Sequence, residues 1–225
     1  MEGSTKGGYV TGRSDDKTQK LRLSWVNTLR RLKNLTVGKV YIHLANYIYK
    51  EATLLVVHKK FDTPPLLESS KLQVECILLN ANYKKQITKL SNLAAERIDE
   101  FFQDGAKCLG VFHNGQLIAY SWCHYKDHYF PFFNYSIEVT DSVYIGPDFV
   151  APEYRGNKIH GYILTRMFAL LYEEGCEYVL GSVLHDNHAS IKGLKNVGFI
   201  PKQQVAVSRV LKSMVYKKMK DLERW

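Results

Sequence analysis

The stretch D-F-V-A-P-E-Y-R-G-N-K-I-H, Asp148 to His160, decides how the rest of the chain is read. It joins the end of a strand, a tight turn and the opening of a helix. Val143, Ile145, Phe149 and Val150 are strand formers. Pro152 has no N–H to give to a ladder and ends the strand. Gly156 permits a backbone conformation closed to residues that carry a side chain. From Ile159 the apolar residues recur at Ile163, Met167, Leu170 and Leu171, which is helical spacing. A junction of this kind points free N–H groups at one spot, and the helix dipole makes that spot favourable for phosphate.

A second stretch, D-N-H-A-S-I-K-G-L-K-N-V-G-F, runs from Asp186 to Phe199. Gly198 reads as the stop of a short helix, and Phe199 as a core residue at the start of the next strand. Taken together, the two stretches resemble the signatures of the GNAT acetyltransferases. The first signature has the usual form V-x-P-x-Y-R-G-x-G-x-G/A; Val150, Pro152, Tyr154, Arg155 and Gly156 match it in register. Its two later glycines are Lys158 and His160 here, with Gly161 one position late. Asn157 suits the turn, because Asn tolerates the left-handed region. The second signature, N-x-x-S/A followed by a short helix and G-F, is matched by Asn187, Ser190, Gly198 and Phe199.

The resemblance covers about residues 72–211 and implies an α/β (α+β) fold. Its expected form is a mixed, mostly antiparallel sheet of six or seven strands, with helices on both faces and a splay between the central strands. It implies acetyl-CoA, or another acyl-CoA, as co-substrate and no metal. The main chain from Asn157 through Lys158, Ile159 and His160 to Gly161, with the side chains of Arg155 and Lys158, is expected to hold the pyrophosphate. Asn187 and Ser190 are expected to hold the pantetheine arm. A main-chain N–H near Phe149 or Val150 is the expected donor to the thioester oxygen.

Acyl transfer to an amine needs a neutral amine, a donor for the developing oxyanion and close approach of the two reactants. A base belongs on or beside the long strand. Asp148 is the first candidate, since it shares a strand face with Val150; Asp141, Glu138 and His185 are further ones. The family's usual acid is a Tyr five residues before the Phe of Gly-Phe. Leu194 stands there in this chain, so no acid is assigned, and Tyr144 is the alternative hydroxyl.

Composition narrows the partners. The chain has 225 residues, enough for one domain with an extension, and no apolar run long enough for a membrane span. The polar N-terminus has no secretory h-region. The net charge of +9 lies at the ends. Residues 1–60 carry 12 Lys+Arg against 4 Asp+Glu, residues 61–204 carry 13 against 16, and residues 205–225 carry 6 against 2. A body that is not basic argues against nucleic acid as main substrate. The basic ends suit an acidic acyl carrier protein or plain solvation. Cys76, Cys108, Cys123 and Cys176 lack metal spacing and read as free thiols in a cytoplasmic protein.

The expected organisation is a disordered polar tail at 1–20, an extension at 21–71 and the acyltransferase domain at 72–225. Within the extension, Leu21, Trp25, Leu29 and Leu32 line one face of a helix over 21–35, and a strand spans 53–60. One helix is expected over Lys84–Gln103, a hairpin at His113-Asn114-Gly115, and an aromatic loop or extra strand over 126–137. The aromatic residues suggest an acceptor with a sugar ring, such as an amino sugar of surface-polysaccharide synthesis. A long-chain transfer from a carrier protein and a non-catalytic CoA-binding or interaction module are the alternatives.

Overall fold

The computed structural model describes residues 49–91, 93–210 and 213–225. The tail expected at 1–20 and the helix expected at 21–35 lie outside the described residues. The compact unit on which the site is built comprises Glu51–Arg209 and Ser213–Trp225.

Ten strands are described: β1 (Tyr49–Lys60), β2 (Glu75–Leu79), β3 (Lys107–His113), β4 (Gln116–His124), β5 (His128–Phe130), β6 (Tyr135–Ile137), β7 (Val143–Val150), β8 (Tyr178–Leu184), β9 (Ile200–Val210) and β10 (Ser213–Asp221). Four α-helices accompany them among the described residues: α1 (Lys84–Ser91), α2 (Ala95–Gln103), α3 (Ile159–Glu173) and α4 (His188–Asn196). Eight strands form one sheet in the order β10-β9-β1-β8-β7-β4-β3-β2, and β5 and β6 form a separate hairpin. β7 and β8 are parallel, while β1–β8, β2–β3, β3–β4 and β4–β7 are antiparallel. The mixed, mostly antiparallel sheet with helices on both faces is as expected, but it has eight strands rather than six or seven.

The additional strand is β1. Its stretch Leu54–Val57 is buried on both faces, which is what a central strand requires and an outer extension does not. It pairs with β8 from Leu54↔Leu184 to Lys60↔Tyr178. Pro64 and Pro65, which follow β1, lie within the compact unit.

One face of the sheet is covered by α3 and α4. There Ile163, Leu164, Met167, Phe168 and Leu171 pack with Val57, Val111, Ile145, Val179 and Phe199. The other face is covered in two parts. Ile87, Ile98 and Phe101 pack on Cys108, Tyr120 and Trp122; beside them the β5–β6 hairpin sets Phe133 and Ile137 over Tyr144, Leu180 and Val205. Most rings of the aromatic loop are thus spent on packing, and Tyr129 is the exposed one at 49%.

The single helix expected over Lys84–Gln103 is broken between α1 and α2. Ser91 Oγ donates to the Ile87 carbonyl at 3.3 Å and accepts from the Leu93 N–H at 3.3 Å, a local pattern that competes with the helical ladder. Tyr120 holds the same hydroxyl at 2.7 Å.

Between β1 and β2 the chain forms a strap that runs backwards along α3. Phe61 packs on Phe168 and Tyr172. The Glu68 N–H donates to Thr165 Oγ1 at 3.0 Å, and the Lys71 N–H donates to the Asn157 carbonyl at 3.0 Å. The strap thereby ties the turn before α3 to the strand that enters the middle of the sheet.

Candidate active site at the parting of two strands

The parallel ladder between β7 and β8 consists of Val143↔Val179, Tyr144↔Leu180 and Ile145↔Gly181. Beyond it β7 continues to Val150, paired on its other side with β4 as far as Ala119↔Val150. β8 continues to Leu184, paired with β1. The two strands thus separate after Ile145 and Gly181 and leave a cleft open towards the start of α3. The Gly146–Pro147 peptide bond, at the head of this cleft, is cis. Ala151 donates its N–H to the Ile118 carbonyl on the β4 side, at 2.9 Å. Alternation along the strand turns the N–H of Val150 the other way, towards the cleft.

The turn after β7 follows its residues closely. Gly156 has φ +80°, and Lys158, the N-cap of α3, is left-handed at φ +61°. The left-handed residue is Lys158 and not Asn157, whose side chain instead donates to the Tyr154 carbonyl at 3.1 Å. Among the described residues, the N–H groups of Gly156, Asn157, Lys158, Ile159, His160 and Gly161 have no acceptor. The free N–H groups of the first helical turn add to those of the turn itself. Arg155 and Lys158 are exposed beside them, with Arg155 Nε donating to the Val150 carbonyl at 3.1 Å.

Gly161 serves a different neighbour from the one its place in the signature suggests. A side chain there would meet the carboxylate of Glu68, the flexible end of a side chain from the strap.

Asp148 lies inside the cleft on the α3 face. Ser121 Oγ donates to its Oδ1 at 2.6 Å, and His160 Nε2 lies 3.5 Å from its Oδ2. The side chains of Asp148 and His160 are only 18% and 25% exposed. Neither Ser121 nor the side chain of His160 was marked by the sequence. The strand pairing Ser121↔Asp148 and a reach from the first turn of α3 bring them together.

The other proposed bases are placed less favourably. Glu138 and Asp141 are exposed and precede β7, whose far end is roughly 20 Å from Val150 at 3.3 Å per residue. His185 is exposed, makes no hydrogen bond to Asp148 and lines a cavity of about 500 Å³ with Thr53, Asp186, Val207 and Tyr216. Tyr144 lies over Gly146, its hydroxyl 2.9 Å from Ser182 Oγ at the point where the strands part. Burial pushes its ionisation well above the usual tyrosine range, partly offset by the Ser182 hydrogen bond.

Across the cleft, Asn187 is the N-cap of α4, its Oδ1 accepting from the Ser190 N–H at 3.2 Å. Gly198 has φ +86°, and the Phe199 N–H closes the helix on the Leu194 carbonyl at 3.0 Å. Leu194 is buried and apolar.

This eight-stranded mixed sheet, parted beside a helix whose first N–H groups are free, agrees with the family comparison. The model of the acetyltransferase (GNAT) family matches residues 77–199, and the chain belongs to that family. Among solved structures, it is similar to a GCN5-related N-acetyltransferase from Sphaerobacter thermophilus, with 14% identity and a TM-score of 0.57 over 78% of this chain and 57% of that one. A GNAT-family protein from Novosphingobium aromaticivorans follows at 14% identity and 0.54, over 77% of this chain and 66% of that one. A functionally unknown conserved protein from Staphylococcus epidermidis also matches, at 14% and 0.51, over 86% and 80%. This chain thus spans less than two thirds of the length of the first two. No curated protein matches the sequence significantly.

Among the described residues no helix is long and apolar enough to cross a membrane, and no group of three or more His, Cys, Asp or Glu is placed to hold a metal. All four cysteines are free, and burial raises the thiols of Cys76 and Cys123 to about 11.

Proposed function

We propose that this chain transfers an acetyl group from acetyl-CoA to a primary amine in the cytoplasm. The observation that carries the reading is the run of six N–H groups without acceptors, Gly156 to Gly161, at the mouth of the cleft between β7 and β8. Such a run suits a pyrophosphate, and Arg155 and Lys158 add positive charge beside it. Asn187 has its Nδ2 left for an amide of the pantetheine arm once Oδ1 is used by the cap. Acetyl-CoA supplies the activated acyl group; the protein positions it, donates to its oxygen from the main chain at Val150 and keeps the amine neutral.

Asp148 is the base of this proposal. Half-buried, with Ser121 fixing one oxygen, it keeps the other for a proton taken from the amine directly or through one water. The aromatic residues that suggested a sugar acceptor are occupied in packing, so the proposed acceptor is a primary amine without further restriction. Four unpaired thiols accord with a reducing compartment.

Titration calorimetry with acetyl-CoA tests the reading. Saturable heat is expected from the wild-type chain, and its absence would leave the fold without this chemistry. Asp148→Asn should lower turnover roughly 100-fold while acetyl-CoA affinity stays within twofold, since the amide cannot accept the proton. Unchanged turnover would remove Asp148 from the role.

A further inference from the structure

We propose that a cavity between α2 and the end of β4 binds a small neutral aromatic molecule carrying one hydrogen-bond donor, such as a phenol, with His124 as the acceptor. The cavity has a volume of about 170 Å³, the size that takes one benzene-like ring. Phe101 of α2, His124 of β4, Tyr125 beyond it, and His128 and Tyr129 of β5 line it. It lies apart from the cleft between β7 and β8. The His124 ring stacks beside Trp122, which packs on the face of the sheet opposite to α3. The site is independent of the acyl-transfer chemistry, and acetyl-CoA is not needed to observe it.

His124 is 5% exposed, and its Nε2 is buried without a hydrogen-bond partner among the described residues. The ring is tied by its other nitrogen to the main chain of Gly146. A ring nitrogen that donates to a carbonyl carries the proton of the neutral imidazole and leaves a lone pair on the other nitrogen. Burial lowers the ionisation of His124 to about 4, so the ring is neutral at pH 7. An acceptor left unmade in the interior is costly, and an O–H or N–H brought by a ligand removes that cost.

The rest of the wall sets the kind of ligand. Phe101 meets the His124 ring edge-on, with centroids 4.5 Å apart, and the His128 ring lies 5.1 Å from His124. Such faces and edges suit a planar ring. The charged groups of the wall are already paired within the protein. Arg97 meets Glu100 at 2.8 Å, Lys126 meets Asp104 at 2.6 Å, and Asp127 Oδ1 accepts from the Val139 N–H at 3.0 Å. The hydroxyls of Tyr125 and Tyr129 donate to Glu174 and Asn134. An ionic ligand would have to compete with these pairs. A neutral donor uses what they leave over, the lone pair on Nε2.

Titration of the full chain at pH 7 with phenol and with toluene, which has a methyl group where phenol has its hydroxyl, tests the site by NMR. Phenol is expected to bind wild-type protein saturably and to shift the Nε2 resonance of His124, whereas toluene leaves that resonance close to its place. His124→Phe keeps an aromatic ring but has no lone pair. The ratio of phenol to toluene affinity should fall about tenfold in this variant, the worth of one hydrogen bond, while toluene binds at least as well as before. Circular dichroism checks that the variant is folded, and the wild-type Nε2 shift needs no variant at all. A wild-type protein that phenol does not saturate, or whose His124 Nε2 does not move, would overturn the proposal. So would an affinity ratio that His124→Phe leaves unchanged.

Discussion

Gly156→Pro is expected to abolish measurable acetyl-CoA binding while the protein remains folded. Proline fixes φ near −65°, whereas Gly156 sits at +80°. The turn must then take another path: proline removes the N–H of residue 156 itself, and the five free N–H groups from Asn157 to Gly161 lose their common direction. No steric clash contributes, because a Cβ at 156 meets nothing within 4 Å. The effect is therefore one of backbone conformation. Gly156→Ala provides the graded control: a left-handed residue with a side chain costs about 1–2 kcal/mol, so binding should weaken without vanishing. Gly156 is exposed and belongs to none of the three apolar clusters, so the denaturation midpoint of the proline variant should move little. Calorimetry checks the first expectation and urea unfolding the second. Wild-type affinity in the proline variant would show that the phosphate groups are held elsewhere.

The second large effect is on stability in acid. His124 and His128 lie on β4 and β5, their rings 5.1 Å apart among Phe101, Trp122 and Tyr144. Burial lowers His124 to about 4, aided by Arg97 and opposed by a main-chain hydrogen bond at Gly146 and by Asp104 and Asp148. Burial, then His124 and Arg97, lowers His128 to about 4 as well. Both rings are therefore neutral in the folded chain at pH 7. Between pH 6.5 and 4 the unfolded chain binds these protons and the folded chain does not, so stability falls as pH falls. His124 alone accounts for about 3 kcal/mol across that window. His128 adds less, because solvent screens it more. Above pH 6.5 this contribution is constant. Urea midpoints measured at pH 7, 5.5 and 4 should decline steadily, and His124→Phe should flatten the decline. A wild-type midpoint that stays level over that range would contradict this account.

The features legible in the sequence were those carried by adjacent residues. Pro152 and Gly156 announced the turn, the spacing from Ile159 announced α3, and Gly198-Phe199 announced the end of α4. The sheet order was not legible, because nothing local in Leu54–Val57 says that its partner is β8, about 125 residues away. The break after α1 was hidden for another reason: the apolar face continues through Leu93, and it is one hydroxyl, Ser91, that interrupts the backbone. At the site, Asp148 was marked as a candidate base from its place on β7. His160 was recognised only as a missing glycine, since the direction of its ring depends on Gly193, 33 positions further on.

The position of β1 bears on where this protein can be cut. The segment recognised by the family model, 77–199, includes β7, α3, β8 and α4, and so every residue of the proposed chemistry. It does not include β1 or the strap. Without them β8 would present a naked row of main-chain donors and acceptors along seven residues, open to pairing with any passing strand. The turn at Asn157 would also lose its tether. The minimal autonomous piece is therefore longer at its front than the recognisable motif, and fragments trimmed to the motif should self-associate rather than fold.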